Sequence, residues 1–476
     1  MLTAISITIS LLLAYALARV VFPPWSFPRN IPTVPFYVSF LGTYTSLDQR
    51  QIYERYIRPY EKYGAVKIYF ANRWNVLVIK PELLQQVFRD ETTFAKSGNH
   101  RKIPRAVLSQ YTGDNVISAH GADWKLYRGV IQKAIQFPVK SHLYTNTLKF
   151  VELIRRDCSV PLYVSDYLQR LSLANVSMCM LGVDFHTLEL DCTSELHMKL
   201  KLVKSHIFKP LYMNFPILDS LPIPSRLEAR RQVESFRSYY TEQVMKAQVS
   251  GDSDVECAAF QLYTAFKQGK ITAKQMTDNL VIILVAGHEN PQLLFTSLLY
   301  MLAKYPTVQH RVRQEISQYD VEFVEQMPFL TSVLFETLRF FPPLGQIINR
   351  CTSKDTLLGD CIHIPKGTYV GYNNYSTTHS SSWQEADSFK PERWGTEMED
   401  IMDFYKHCKS SSTLPTFHGG KRACLGERFA ILECKIFVYQ VVKNFELALD
   451  PNWVERITPA GPICPFNLKI IFKPLA

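Results

Sequence analysis

The stretch FHGGKRACLGERFAILE, residues 417–433, sets a cysteine in a glycine-rich loop directly before an apolar helix. Backbone N–H groups at the helix start and the neighbouring Arg422 favour a thiolate at Cys424. A thiolate is a nucleophile or a metal ligand. A nucleophile wants a general base in a matching motif, and His418 alone is weak support for one. A zinc site wants further ligands at metal spacing, but the ten cysteines contain no C-x-x-C pair and no regular spacing. An axial thiolate on heme iron needs no second protein ligand of this kind, and Gly420 and Gly426 would let the backbone approach the porphyrin. The same inventory argues against a disulfide scaffold. It favours a reduced compartment in which most cysteines are small buried hydrophobes.

A second constraint is one long helix. Thr272 and Gln275 form a capping-box start, an apolar run follows, and Pro306 ends it after roughly 50 Å. Its centre reads VAGHENPQ, residues 285–292. Pro291 deprives the Gly287 carbonyl of its usual donor, so the turn holding Glu289 and Asn290 is expected to open locally.

With 476 residues and 47% apolar content the chain builds a large core. A net charge of +10 is spread along it with no nucleic-acid motif, which points to a membrane surface or an acidic partner and away from nucleic acid. Residues 1–22 suit one membrane-spanning anchor, with a proline-rich hinge at 23–36 and the remaining 37–476 on the cytoplasmic side. A cleaved signal peptide is the rival, disfavoured because no basic residue precedes the apolar run. AVKIYFANRWNVLVIK reads as two strands around Asn72, and strands return only in CIHIPKGTYVGYNN and NLKIIFK. The aromatic, proline-broken stretch FKPLYMNFPILDSLPIPS is expected to dip toward a membrane or a pocket. The fold class is mainly α, a helix-rich α+β domain with small sheets.

Phe417, Gly420, Arg422, Cys424 and Gly426 match every fixed position of F-x-x-G-x-R-x-C-x-G, the signature of the cytochrome P-450 family, which the chain resembles. FETLR and FKPERW match two further family motifs in the proper order. The resemblance implies a buried ion-pair cluster of Glu336, Arg339 and Arg393, and a heme b with Cys424 as its iron ligand. It implies propionate contacts from Trp124 and Arg128 in WKLYR, from Arg350 in IINRCTSKD, and from Arg422. It also places VAGHENP over the oxygen side of the heme. There Ala286 and Gly287 leave room, Glu289 matches the family's acid and Asn290 replaces its threonine. Glu289, Asn290 and Gly287 are therefore the catalytic candidates, and His288 either touches substrate or faces a neighbouring helix.

From NIPTVPFY to NLK the chain further resembles the dityrosine-forming branch of the family, whose members act on N-formyltyrosine in yeast spore-wall assembly. This implies oxidative phenol coupling: two phenoxyl radicals join ortho to ortho and no oxygen is inserted. A basic contact to the substrate carboxylate is expected from Arg101, Lys102 or Arg105, with Ile347, Ile348 and the loop 462–466 as further pocket candidates. No flavin or nicotinamide fingerprint is present, so electrons are expected from an NADPH-dependent cytochrome P-450 reductase in the endoplasmic reticulum membrane, docking near Lys125, Lys133, Lys421 and Arg428. The alternatives are an oxygen-inserting hydroxylase of a lipid or aromatic compound, and a heme-binding sensor without turnover.

Overall fold

The computed structural model describes residues 2–137, 139–190, 193–250 and 257–475, with side chains from residue 5 onward. Met1 and Cys192 lie outside them, and Cys158, Cys351, Cys361, Cys408, Cys424, Cys434 and Cys464 are free thiols.

The strands Ala65–Phe70 and Arg73–Val78 pair antiparallel because Ala71 and Asn72 both take positive φ, 52° and 67°, giving a two-residue turn whose twist suits a hairpin. This hairpin is one side of a five-stranded sheet. Arg73–Val78 runs parallel to Tyr369–Asn373, which pairs with Gln346–Thr352, and Phe94–Lys96 closes the far edge. The strand Gln346–Thr352 is not among the expected ones. Its burial alternates after Ile347, but Asn349 and Arg350 conceal the apolar period that marks a strand. A second sheet joins Leu162–Tyr163, Lys469–Pro474 and Phe445–Leu449.

Helices supply the rest of the core. The central helix, Ala273–Lys304, starts at the capping box of Thr272 and Gln275 and stops at Tyr305 before Pro306. It is continuous through Pro291, which corrects the expected opening. The disturbance stays within one turn, where Asn290 Nδ2 donates a long bond of 3.4 Å to the Ala286 carbonyl. The helix Val164–Val176 packs across it, continues into a π turn at Ser177–Leu181 and ends at Gly182, φ 64°. The helices Gly121–Gln136 and Glu427–Asn444 flank the cysteine loop.

The N-terminal helix spans Leu2–Val21 and exposes Leu11, Leu12, Leu13, Tyr15 and Leu17. Among the described residues no helix is long and apolar enough to cross a membrane, so the structure does not bear out the expected anchor. The segment 23–36 is not a free hinge. Ile31 and Val34 are buried, Lys67 Nζ donates to the Pro28 carbonyl at 2.8 Å, and Thr33 bridges to Lys67. The proline-broken stretch after Phe208 forms short helices at Pro210–Asn214 and Pro216–Ser220, and Phe215 stacks on Phe40 with ring centres 6.0 Å apart.

Candidate functional site

A cavity of about 300 Å³ lies between the central helix and the cysteine loop. The loop is shaped by local bonds. His418 N donates to the Pro415 carbonyl, Ala423 N to that of Gly420, and Cys424 N to that of Phe417 at 2.9 Å. Phe417, Cys424 and Gly426 line the cavity; Cys424 opens onto it rather than onto bulk solvent. Gly420 has another task. Its φ is 62°, and a Cβ at this position would stand only 2.6 Å from the Phe88 carbonyl oxygen, so glycine lets the loop close on the helix Pro81–Arg89.

Burial raises the Cys424 thiol to about 11, against the lowering effect of the Gly426 and Glu427 N–H groups. Arg422 does not supply the expected positive charge. It turns away to Glu91 at 3.0 Å and to the Ala119 carbonyl at 2.7 Å, and it lies 4.4 Å from the centre of the Trp124 ring. A bound metal ion would favour the thiolate.

On the opposite wall the central helix presents Ile282, Ile283, Ala286, Gly287, Asn290, Pro291 and Leu294. Asn290 is the one polar side chain among these. Gly287 serves helix packing as well as space, since a Cβ there would come 2.5 Å from Val176 Cγ2. Glu289 does not line the cavity; it pairs with Lys204 at 3.0 Å. His288 is fully buried and faces the neighbouring helix: Nδ1 donates to the Leu284 carbonyl at 2.6 Å and Nε2 accepts from Lys204 at 3.1 Å. Those partners define a neutral imidazole, and burial holds its pKa well below the ordinary value. Lys204, which links both side chains, carries no signal in the sequence.

The rim is basic. Trp124 and Arg128 line the cavity from one helix, with Arg128 5.7 Å from the Trp124 ring centre. Arg422 lines it too, whereas Arg350 does not: it stands beside Lys96 on the neighbouring strand, 2% exposed, gives Nη1 to the Phe94 carbonyl at 3.0 Å, and keeps Nη2 buried without an acceptor among the described residues. Lys96 and His418, neither of which the sequence motifs assign to the rim, also line it. Ile347 lines the cavity and Ile348 packs into the core beside it. Arg101, Lys102 and Arg105 do not line it. Arg101 and Arg105 are exposed, while Lys102 is buried against the Ile348 carbonyl and the Phe70 and Tyr369 rings.

Away from the cavity, Glu336 and Arg339 are fully buried and paired through two bonds of 2.8 and 3.0 Å. Arg393 Nε and Trp394 Nε1 each donate to the same carboxylate at 3.0 Å. Arg339 also donates to the carbonyls of Thr378, Ala386 and Ser388, which ties the helix Pro328–Phe340 to the segment beneath the cysteine loop.

Residues 28–464 match the family described as Cytochrome P450. The chain belongs to the cytochrome P450 family. This P450 is 46% identical to cytochrome P450-DIT2 of Saccharomyces cerevisiae over 97% of its own length and 96% of that protein's. It is 35% identical to the cytochrome P450 monooxygenase xanG of Aspergillus fumigatus, covering 92% of this chain and 86% of that one. Its fold matches the crystal structure of a cytochrome P450DA heme domain with a TM-score of 0.75 at 17% identity, over 96% of this chain and 98% of that one. It is therefore a heme-thiolate oxidoreductase.

The residues fit that cofactor. This P450 has one cysteine opening into a largely apolar chamber with a basic rim, with N–H groups from Gly426 and Glu427 at the sulfur. Next to the basic rim, Arg350 keeps a buried guanidinium nitrogen lacking an acceptor among the described residues, and a cofactor carrying two carboxylates would supply one. Cys424 would bind the iron, and Trp124, Arg128 and Arg422 line the cavity where propionates would need donors.

Proposed function

We propose that this P450 couples two N-formyltyrosine molecules through their phenol rings to give bisformyl dityrosine for a spore or cell wall. The similarity to cytochrome P450-DIT2 along nearly the whole chain carries the reading. The balance is two N-formyltyrosines, one O2, one NADPH and one proton giving one dimer, two waters and NADP⁺. When bound, a cysteinate heme supplies the oxidising chemistry with O2 and two electrons from the reductase. The protein's part is to hold a phenol against an apolar wall and exclude water.

Asn290 is suited to the phenol. Its Nδ2 is directed at the Ala286 carbonyl, and its Oδ1 is left to accept a phenolic O–H. Glu289 is set back from the cavity, paired with Lys204. Reconstitution with a P450 reductase and N-formyltyrosine under labelled oxygen tests the reading. A fluorescent dimer free of label is expected. A monomer carrying label would mean hydroxylation instead, the reading that suits a monooxygenase relative such as xanG.

The proposal extends to the setting. The exposed apolar residues of Leu2–Val21, with Phe22 and Trp25 66% and 91% exposed just beyond, suit a membrane anchor ending in an interfacial aromatic pair. That leaves residues 37–476 as the catalytic domain on the cytoplasmic face of the endoplasmic reticulum. Lys125, Lys133, Lys421 and Arg428 are all exposed on elements flanking the cysteine loop and suit an acidic reductase face. Reduction rates that fall steeply with salt are expected, and salt-independent rates would count against this surface.

A further inference from the structure

Two further cations sit together on the five-stranded sheet. Lys102 ends the short helix Asn99–Lys102 and is 2% exposed, and Arg73 opens the strand Arg73–Val78. Both lie over the Tyr369 ring, Arg73 4.7 Å and Lys102 5.1 Å from its centre. Lys102 donates to the Ile348 carbonyl at a long 3.3 Å and meets the Phe70 ring at 5.2 Å. Arg73 gives Nη2 to the Lys102 carbonyl at 2.6 Å and keeps Nε buried without an acceptor among the described residues.

Neither cation is paired with a carboxylate among the described residues. The charges that reach Lys102 are that of Arg73, which repels it, and that of the Cys351 thiol, which burial keeps protonated. Ring faces attract a cation but carry no net charge to cancel it. Two like charges therefore stand together uncompensated, one of them almost fully buried. An anion between them would satisfy the open Arg73 Nε, complete the donors of Lys102 and remove the repulsion at once. Burial and Arg73 push the lysine pKa well down, and a bound anion would reverse that.

The pair lies against a strand that walls the cavity. Ile348, whose carbonyl Lys102 holds, stands between Ile347 and Asn349, and both of these line the cavity. Arg73 is half-buried and gives the pair its open side. The cations that do line the cavity, Lys96, Arg128 and Arg422, stand on the rim where the cofactor's carboxylates need donors, and the wall opposite Cys424 is uncharged. A substrate with a carboxylate of its own therefore finds its unclaimed counter-charge in Arg73 and Lys102. We infer that these two residues bind the carboxylate of an N-acylated tyrosine, with the guanidinium edge and the ammonium as donors, and so direct its phenol toward the cavity. The inference rests on the N-formyltyrosine reading proposed above.

The deciding experiment titrates heme-loaded wild type, Lys102→Met and Arg73→Gln with N-formyltyrosine and with N-formyltyrosinamide, which keeps the shape and loses the charge. Binding is read from the substrate-induced spectral shift. The wild type is expected to prefer the acid about tenfold, the worth of one charge-assisted hydrogen bond. Lys102→Met is expected to abolish that preference by weakening the acid alone, and Arg73→Gln to remove most of it. Equal binding of acid and amide by the wild type would overturn the inference. So would equal weakening of both ligands in the variants, which would make the pair a packing element. A wild type that binds neither ligand and forms no dimer would sink the functional reading and the inference with it, whereas a dimer formed with undiminished acid preference in both variants would overturn the inference alone. If Lys102→Met takes up no heme, Arg73→Gln decides, and an unchanged preference for the acid would overturn the inference.

Discussion

On the proposed reading, Asn290 is the residue at which phenol coupling and oxygen insertion would part. An amide donates and accepts without titrating, whereas the threonine usual in the family carries an exchangeable hydroxyl. Asn290→Thr is expected to leave the carbon-monoxide spectrum intact, lower the dimer formed per NADPH severalfold and introduce labelled oxygen into monomeric product, all readable in one labelled-oxygen assay. Lys204 calls for a different test. Its pair with Glu289 is about a quarter exposed and worth about 0.5–1 kcal/mol at most. It is also the donor to fully buried His288 Nε2, and an orphaned buried acceptor costs about 1–3 kcal/mol. Lys204→Met should therefore destabilise by about 1–3 kcal/mol in urea, and most of that loss should vanish in a His288→Leu background. Additive losses in that cycle would show that the histidine bond contributes nothing. Neither Lys204 nor Lys96 is legible in the sequence, whereas Cys424 and the Glu336–Arg339–Arg393 set are. The motif residues sit at fixed short offsets, while Lys96 meets His418 across 322 positions. His418 does carry a signal, being a bulky residue between Phe417 and the glycines, but by sequence it reads only as a base for a nucleophile.

At the scale of elements, the central helix and its crossing with Val164–Val176 decide the depth of the cavity. The small pair Ala286–Gly287 reads in the sequence as room above the iron, yet Gly287 also marks the contact at Val176. A methyl group at that point lies 2.5 Å from Val176 Cγ2, so one helix must shift. Gly287→Ala is expected to cost about 1–3 kcal/mol by overpacking and to change the substrate-induced spectral shift. Val176→Ala combined with it should recover most of the stability. Failure of the second substitution to relieve the first would mean that the helix backbone itself resists the alanine. The helix and its ends are legible from a capping box and Pro306, since capping is local chemistry. The strand Gln346–Thr352 is not, because its pairing partners come from residues 94–96 and 369–373 and no local turn announces it.

For the whole molecule the sequence indicates the helix-rich class and the heme-thiolate chemistry, but it misleads on how the N-terminal segment is held. Prolines at 23–36 suggest a hinge, whereas backbone and side-chain bonds to Lys67 fasten that segment to the sheet. Buried titratable groups give the assembled protein its own pH signature. Away from the heme rim, His100, His197, His288 and His379 all have depressed pKa values, desolvation being the first cause in each. Unfolded histidine binds a proton below about pH 6.5. In that range the unfolded chain therefore takes up protons that the native protein refuses, and stability falls as pH falls. The slope is about 1.4 kcal/mol per pH unit for each fully neutral histidine. Glu315 and Glu433 act in the opposite sense. Their raised pKa values keep protons in the native state that the unfolded chain releases above about pH 4.5, so they offset part of the loss without cancelling it. Glu433 is 1% exposed, accepts from Asn175 at 3.1 Å and leaves Oε1 without a partner among the described residues, so its neutral form is the one that fits. The urea midpoint of the heme-loaded enzyme is therefore expected to drop between pH 7 and 5.5. Glu433→Gln, which keeps the shape and removes the offsetting proton, should drop more steeply over the same range. Equal slopes for the two proteins would mean that Glu433 is ionised in its buried site, and a flat wild-type profile would mean that the histidines titrate alike in both states.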